Sequence, residues 1–267
     1  MIDTHAHLDD EQFAGDRDEV LRRALCAGVS AIVCPSVSRT SAEALLALAG
    51  TIPSDFEPRI YVAVAIHPNY CIHAAADDFD RIVALAEHRA VVAIGETGLD
   101  RYWDTTPFPM QVDFFRRHLM LSQERDLPII IHCREAEADL LPLLKETVVR
   151  APLRGVLHSF SGNSDFAAQC LGFGLDISFS GNVTYKNKKF EPLREAARMI
   201  PADRIMIETD SPYLSPEPLR GKQPRNEPAN VAHIAAFLAN LRGQPIEQFI
   251  VQTTDNARRL FRLAEHT

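Results

Sequence analysis

Short apolar runs alternate with stretches of helical periodicity along most of the chain. Eight apolar runs predict buried strands, at residues 2–7, 31–34, 60–66, 91–94, 128–131, 156–157, 176–179 and 205–207. The stretches between them predict helices, at residues 16–28, 41–49, 80–88, 111–126, 135–149, 165–172 and 190–200. Strands that alternate with helices form a parallel sheet covered by helices. The pattern therefore predicts an α/β fold, a (β/α)8 TIM barrel, in a single domain over residues 1–267.

Prolines mark the irregular places in this pattern. Pro142 falls inside a predicted helix and indicates a kink or a later helix start. The Pro-rich segment 211–228 follows the last strand, and we interpret it as a loop over the barrel mouth rather than a domain boundary. A final helical region is expected to open with Pro228 in its first turn.

Composition narrows the functional classes. The 267 residues include 28 basic and 36 acidic side chains, for a net charge of −8. This balance argues against a protein that coats duplex nucleic acid, although a strand end could still bind locally. The five cysteines show no C-x-x-C spacing, which favours free thiols in a reducing compartment. Without a basic leader or an apolar run of membrane-spanning length, we expect a cytoplasmic protein with no membrane contact and no obligate protein partner.

Good metal ligands stand at the ends of five predicted strands. His5 and His7 are two positions apart, and side chains two apart share one face of a strand. Later strands end in Glu96, His132, His158 and Asp210. Because the carboxyl ends of barrel strands meet at one mouth, we expect these six side chains to converge. Four imidazoles and two carboxylates can hold two divalent metal ions when one carboxylate bridges them.

The two carboxylates receive distinct expected roles. Glu96 lies midway round the predicted ring and is expected to bridge the ions, while Asp210 binds the first ion and takes a proton from the attacking water. Considered singly, each residue has a plainer interpretation. A lone histidine at a strand end is commonly structural, Asp210 before Ser211 and Pro212 could open a turn, and Glu96 could be a loop acid. Together, the six residues favour a metal site with Glu96 and Asp210 as catalytic groups.

Six segments of the chain resemble the signatures of TatD-family metal-dependent hydrolases. They are His5-Ala6-His7-Leu8, Gly95-Glu96-Thr97-Gly98-Leu99-Asp100, His132-Cys133-Arg134, His158-Ser159-Phe160-Ser161-Gly162, Glu208-Thr209-Asp210-Ser211-Pro212-Tyr213-Leu214 and Arg225-Asn226-Glu227-Pro228. The resemblance covers essentially the whole chain and implies an amidohydrolase-like barrel with divalent-metal deoxyribonuclease activity, often from the 3′ end. It also implies that the six residues above are metal ligands. Ala65 and Arg101 depart from the usual family residues, which affects loop detail only.

Residues around the predicted metal site are candidates for substrate binding. His67 ends the third strand and could contact a phosphate or cap the turn at Pro68. Arg134 and Arg225 could bind phosphate oxygens, because guanidinium matches them bidentately. Three further features are less specific candidates. Lys222 is interpreted as a solvated charge, and the basic run 186–189 could attract phosphate or be a solvated helix start. The aromatic pair Tyr102 and Trp103 could stack a base or pack as part of a lid.

These observations predict a two-metal phosphodiesterase acting on DNA, as a 3′-5′ exonuclease on single-stranded ends. The metal could be Mg²⁺, Mn²⁺ or Zn²⁺, since nitrogen and oxygen ligand sets accept several ions. The alternative is a metal-dependent amide, ester or lactone hydrolase, because the same site polarises a carbonyl equally well. Phosphate-binding cations at the mouth would favour the nuclease, and an apolar pocket the alternative. A non-catalytic metal-binding protein is disfavoured by the complete ligand set.

Overall fold

The predicted strands form one parallel sheet in chain order. The computed structural model describes residues 1–52, 58–223 and 225–263. Its strands are β1 Ile2–Asp3, β2 Ala31–Pro35, β3 Arg59–Val64, β4 Val91–Asp100, β5 Ile129–Arg134, β6 Gly155–Leu157, β7 Leu175–Phe179 and β8 Ile205–Ile207. The sheet nearly closes, because the Thr4 amide donates to the Ile207 carbonyl at 3.2 Å and Ala6 bridges to Ser211. The (β/α)8 barrel is therefore confirmed.

Helices connect the strands as the periodicity predicts. They are α1 Arg17–Cys26, α2 Arg39–Thr51, α3 Asp78–Leu85, α4 Phe108–Arg125, α5 Glu137–Arg150, α6 Ser164–Gly172, α7 Glu191–Met199, α8 Val231–Leu241 and α9 Ile246–Phe261. Pro142 lies inside α5, which begins two residues after the predicted start. Pro228 opens a short 3-10 turn before α8. Residues 264–267 of the predicted domain lie outside the described residues, and the single-domain assignment stays a prediction.

Two regions of apolar packing hold the barrel together. The larger one fills the space between the strands and the surrounding helices. The smaller one lies inside the barrel, where Ile130, Val156 and Met206 pack against side chains from the C-terminal end of α9, such as Leu260. These interior residues mark the inward face of three strands. Burial of this kind stabilises a fold by about 25 cal/mol for each Å² of apolar surface removed from water.

Several strands end at other residues than predicted near the barrel mouth: β3 ends at Val64 rather than at residue 66, and β5 runs to Arg134 rather than to residue 131. β1 ends at Asp3 rather than at residue 7, although the Ala6 amide still donates to the Val33 carbonyl at 3.1 Å. β4 runs to Asp100 rather than to residue 94, because its pairing with β5 shifts register after Ile94 and then resumes. Such a bulge lengthens a strand and redirects a side chain within it.

The helices within residues 1–52, 58–223 and 225–263 are too short or too polar to span a membrane.

Candidate metal centre

Side chains two positions apart on a strand point to the same face. A strand that buries an apolar residue inside the barrel therefore also points a residue near its carboxyl end into the barrel mouth. Ile130 and Val156 face the barrel interior, so His132 and His158, two positions later, point the same way. Glu96 lies in the β4 bulge, between the paired residues Ile94 and Thr97, and only 3% of its surface is exposed. Local strand geometry therefore aims three of the predicted ligands at one point.

Gly98 allows the two ligand-bearing strands to approach closely. It pairs with His132 across the β4–β5 ladder and has a φ of +151°. A Cβ atom built on Gly98 would lie 1.9 Å from the His132 carbonyl oxygen. Only glycine fits there, and the position of His132 depends on it.

The first ligand group forms where the N-terminus of the chain meets the end of β8. The Nε2 atoms of His5 and His7 lie 3.2 Å apart, although both residues follow the end of β1. Asp210 Oδ1 is 3.8 Å from the first nitrogen and 3.6 Å from the second. Asp210 adopts a left-handed φ of 54°, which aspartate tolerates, and its amide donates to the His5 carbonyl. This backbone contact directs its carboxylate to the histidine pair.

Glu96 faces both groups with different oxygens. Its Oε2 lies 3.2 Å from His5 Nε2 and 3.6 Å from His7 Nε2. Its Oε1 lies 2.8 Å from His132 Nδ1 and 2.7 Å from His158 Nε2. A carboxylate placed in this way can bridge two cations.

The donor spacing fits divalent metal ions. Donors held tetrahedrally at about 2.1 Å from an ion stand about 3.4 Å apart. In the first group the separations run from 3.2 to 3.8 Å, and the facing nitrogens of His132 and His158 are 3.4 Å apart. Among the residues that the structure describes, three side-chain clusters have the composition and closeness to hold an ion: His5 with His7 and Asp210; His5 with His158 and Glu208; and His67 with Glu96 and His132.

The carboxylates of the site are ionised at neutral pH. Burial raises the pKa of Glu96, but the surrounding histidines His158, His67 and His5 outweigh it and hold that pKa well below its usual range. Burial likewise raises the pKa of Asp210, and the neighbouring imidazoles of His7, His5 and His158 reverse the shift. Ionised carboxylates are the form that binds metal ions.

The histidines respond to these carboxylates unequally. Burial lowers the pKa of His5, which favours the neutral imidazole. For His7, burial also lowers the pKa, but Asp210 and Glu96 together raise it to about 9. The pKa of His158 rises well above its usual value, since Glu96 outweighs the effect of burial. A metal ion entering the site would therefore displace protons from at least two imidazoles.

Two buried carboxylates behind the histidines were not predicted as site residues. Asp100 Oδ2 lies 3.0 Å from His132 Nε2, on the far side of the ring from Glu96. Glu208 Oε1 lies 3.3 Å from His158 Nδ1, an ionic contact without good hydrogen-bond alignment, and accepts the Ser159 amide at 2.6 Å. Both stand in the family-like segments 95–100 and 208–214 of the sequence, although their contacts with the histidines follow only from the fold.

His67 faces the site as a hydrogen-bond donor. Its Nδ1 accepts the Asn69 amide at 3.1 Å, so the neutral ring carries its proton on Nε2. That Nε2 lies 3.4 Å from Glu96 Oε1. Burial lowers the pKa of His67 and keeps the ring neutral. An N–H in this place can donate to an oxygen of a substrate.

The two predicted phosphate-binding arginines lie in different places. Arg134 ends β5 and lines the open cavity above the ligands, which has a volume of about 860 Å³. Arg225 does not line this cavity: its guanidinium donates to both oxygens of Asp16 at 2.6 and 2.7 Å and covers the Phe13 ring. The phosphate contact expected of Arg225 stays a prediction, and the structure places this guanidinium against Asp16 rather than in the cavity.

A parallel barrel with imidazoles and ionised carboxylates gathered at its mouth is the arrangement of a metal-dependent hydrolase. The model of the TatD related DNase family matches residues 2–262, and the chain belongs to this family. The resemblance seen in the sequence motifs is thereby confirmed.

Individual relatives agree with this assignment. The chain is 41% identical over 263 residues to the uncharacterized metal-dependent hydrolase YabD of Bacillus subtilis, covering 98% of this chain and 99% of that protein. It is 35% identical over 265 residues to the 3′-5′ ssDNA/RNA exonuclease TatD of Erwinia amylovora, covering 98% and 100%. The crystal structure of YjjV, a TatD homologue from Escherichia coli K12, superposes with a TM-score of 0.89 at 30% identity, covering 99% and 98%.

Proposed function

We propose that this protein is a phosphodiesterase that removes nucleotides from the 3′ end of single-stranded DNA with two divalent metal ions. The observation that carries the proposal is the position of Glu96, whose two oxygens face separate histidine groups. The name of the Erwinia relative, a 3′-5′ ssDNA/RNA exonuclease, supports a nucleic-acid substrate. Mg²⁺, Mn²⁺ and Zn²⁺ are the candidate ions.

The cavity lining supports a phosphate-bearing substrate over a carbonyl compound. Arg134 and Lys189 line the cavity on the side of β5 and β7, while Asp9 and Asp10 line it near β1. Cations beside the ligand groups can bind the anionic strand next to the bond that is cleaved. An amide, ester or lactone would require no such cations.

The side chains of the site have two roles in the proposed hydrolysis: they bind the metal ions and accept a proton. His5, His7, Asp210 and Glu96 would hold one ion, and His132 and His158 with Glu96 the other. When bound, the ions would polarise the phosphoryl oxygens and make water acidic enough to attack at neutral pH. Asp210, ionised and 15% exposed, can accept the proton of the attacking water.

Other side chains at the cavity can position the substrate. The Nε2–H of His67 can donate to a non-bridging phosphate oxygen, and Arg134 can hold the neighbouring phosphate. A cavity at a barrel mouth admits a strand end or a flexible strand more easily than a stiff duplex. These features together favour attack at free ends.

The test is a substrate panel with each of the three metal ions. Linear single strands, blunt duplexes and a closed circular single strand are compared, with 5′ labels on the linear forms and a p-nitrophenyl ester and a lactone as carbonyl substrates. We expect a ladder that shortens one nucleotide at a time, with the circle intact. Rapid cutting of the circle would show endonucleolytic action, and turnover restricted to the carbonyl substrates would refute the nuclease. Asp210→Asn is the inactive reference.

A further inference from the structure

Beside His132, the cavity carries exposed aromatic side chains for which the proposed hydrolysis has no use. Tyr102 and Trp103 follow the end of β4 and remain 49% and 50% exposed. Trp103 lines the cavity directly. Burial of large aromatic side chains usually stabilises a folded protein. Two adjacent half-exposed rings at a cavity are therefore candidates for contact with a ligand.

Asp100 ties this aromatic pair to the metal centre. Its Oδ1 accepts the backbone amides of Tyr102 at 2.8 Å and of Trp103 at 2.9 Å. Its Oδ2 lies 3.0 Å from His132 Nε2 and accepts from Asn69 Nδ2 at 3.1 Å. One buried carboxylate thus holds both the backbone of the aromatic segment and a ligand histidine.

Arg134 completes the surface. Its guanidinium carbon lies 3.7 Å from the centre of the Tyr102 ring and 5.7 Å from that of Trp103. Stacking orients the guanidinium plane without using its N–H donors. In the part of the chain that the structure describes, the Arg134 side chain has no ion pair or hydrogen bond, whereas neighbouring Arg101 binds Asp139 at 2.6 Å. The donors of Arg134 are therefore available to an anion in the cavity.

We infer that Trp103 and Arg134 form a nucleotide subsite beside the metal centre. Trp103 stacks an unpaired nucleobase, and Arg134, supported by Tyr102, binds the phosphate that flanks it. The inference rests on the proposed nuclease function and specifies its substrate: a strand whose base has a free π-face. Interior bases of a duplex are already stacked on both faces, so this subsite selects single strands.

Trp103 is the only tryptophan in the chain, so its fluorescence reports on the subsite directly. The full-length protein with Mg²⁺ is titrated with a phosphorothioate-linked thymidine hexamer, which resists cleavage. The matched controls are an abasic hexamer with the same linkages and inorganic phosphate. We expect saturable quenching by the thymidine strand and little by either control. Equal quenching by the abasic strand, or none by the thymidine strand, would overturn the inference.

Kinetics of two variants separate the base contact from the phosphate contact. Trp103→Ala should raise KM for single-stranded DNA roughly 5- to 150-fold, the equivalent of about 1–3 kcal/mol for one stacked base, with Trp103→Phe close to the parent. Arg134→Ala should lower the slope of log affinity against log salt by about 0.7, which Trp103→Ala should not do. Calorimetric metal binding should stay unchanged in both variants.

The results distinguish this subsite from the proposed function. If the parent protein cleaves single strands while Trp103→Ala has an unchanged KM, the function stands and the subsite is refuted. If no nucleic acid is cleaved but base-dependent quenching persists, the subsite stands and the exonuclease proposal fails.

Discussion

The carboxylate behind His158 offers the sharpest test of the metal centre. Glu208 is fully buried, accepts the Ser159 amide at 2.6 Å and lies 3.3 Å from His158 Nδ1. Glu208→Gln keeps the shape and an oxygen for the Ser159 amide but removes the negative charge. A histidine that binds a metal through one nitrogen is made a better ligand by a carboxylate at the other. The variant should therefore fold normally and bind its metal less tightly.

The size of the effect follows from the contact itself. A hydrogen bond or close contact to a charged group is worth about 1 kcal/mol more than one to a neutral group, which is roughly a fivefold change in affinity. Loss of a carboxylate behind a metal ligand commonly costs about 10- to 100-fold. Because the contact at 3.3 Å is poorly aligned, we expect a value near the lower end, roughly tenfold.

Calorimetry measures this change directly. Protein stripped with a chelator and titrated with Mn²⁺ or Zn²⁺ should show two steps, the weaker one at the group with His132 and His158, which has fewer protein ligands. Glu208→Gln should weaken that step alone, and Asp100→Asn, which acts on His132, should do the same. Asp139→Asn, a change in an exposed ion pair, is the control and should change neither step. Unchanged affinity in Glu208→Gln, or a single step in the parent, would refute the reasoning.

Further predictions concern other parts of the barrel. Glu96→Gln replaces one of the two bridging oxygens by an amide nitrogen, so at least one metal-binding step should disappear. Hydrolysis should fall by about 100-fold or more. A thermal melt is the control for folding. Gly98→Ala should displace His132, because its Cβ would lie 1.9 Å from that residue's carbonyl oxygen; the weaker calorimetric step should vanish while the tighter one remains. Burial lowers the pKa of His118 to about 4, so the unfolded chain binds its proton more tightly. In metal-free protein, His118 should cause a stability loss of about 3 kcal/mol as the pH falls from about 6.5 to about 4. Denaturant melts should show a shallower pH slope in that window for His118→Gln, and parallel slopes would contradict the assignment.

Some features of this protein follow from its sequence alone. The order of strands and helices is encoded by local periodicity, because each apolar run must be buried and each helix must cover the sheet. The six ligand-type residues His5, His7, Glu96, His132, His158 and Asp210 could be recognised in the same way. They stand at or just beyond the ends of the strands that the sequence predicts, and parallel strands in a barrel all end at one mouth. Neither inference requires knowledge of how distant side chains meet.

Tertiary structure decided the roles that depend on contacts between distant segments. Arg225 and Arg134 are the same residue type beside similar motifs, yet one binds Asp16, 209 positions away, and the other stays open to the cavity. The bulge that turns Glu96 inward arises from pairing with β5, and Asp100 acquires its role by meeting His132 across that ladder. Local propensity carries no information on such pairs. Their formation depends on loop paths and strand register, which are set only when the whole barrel closes.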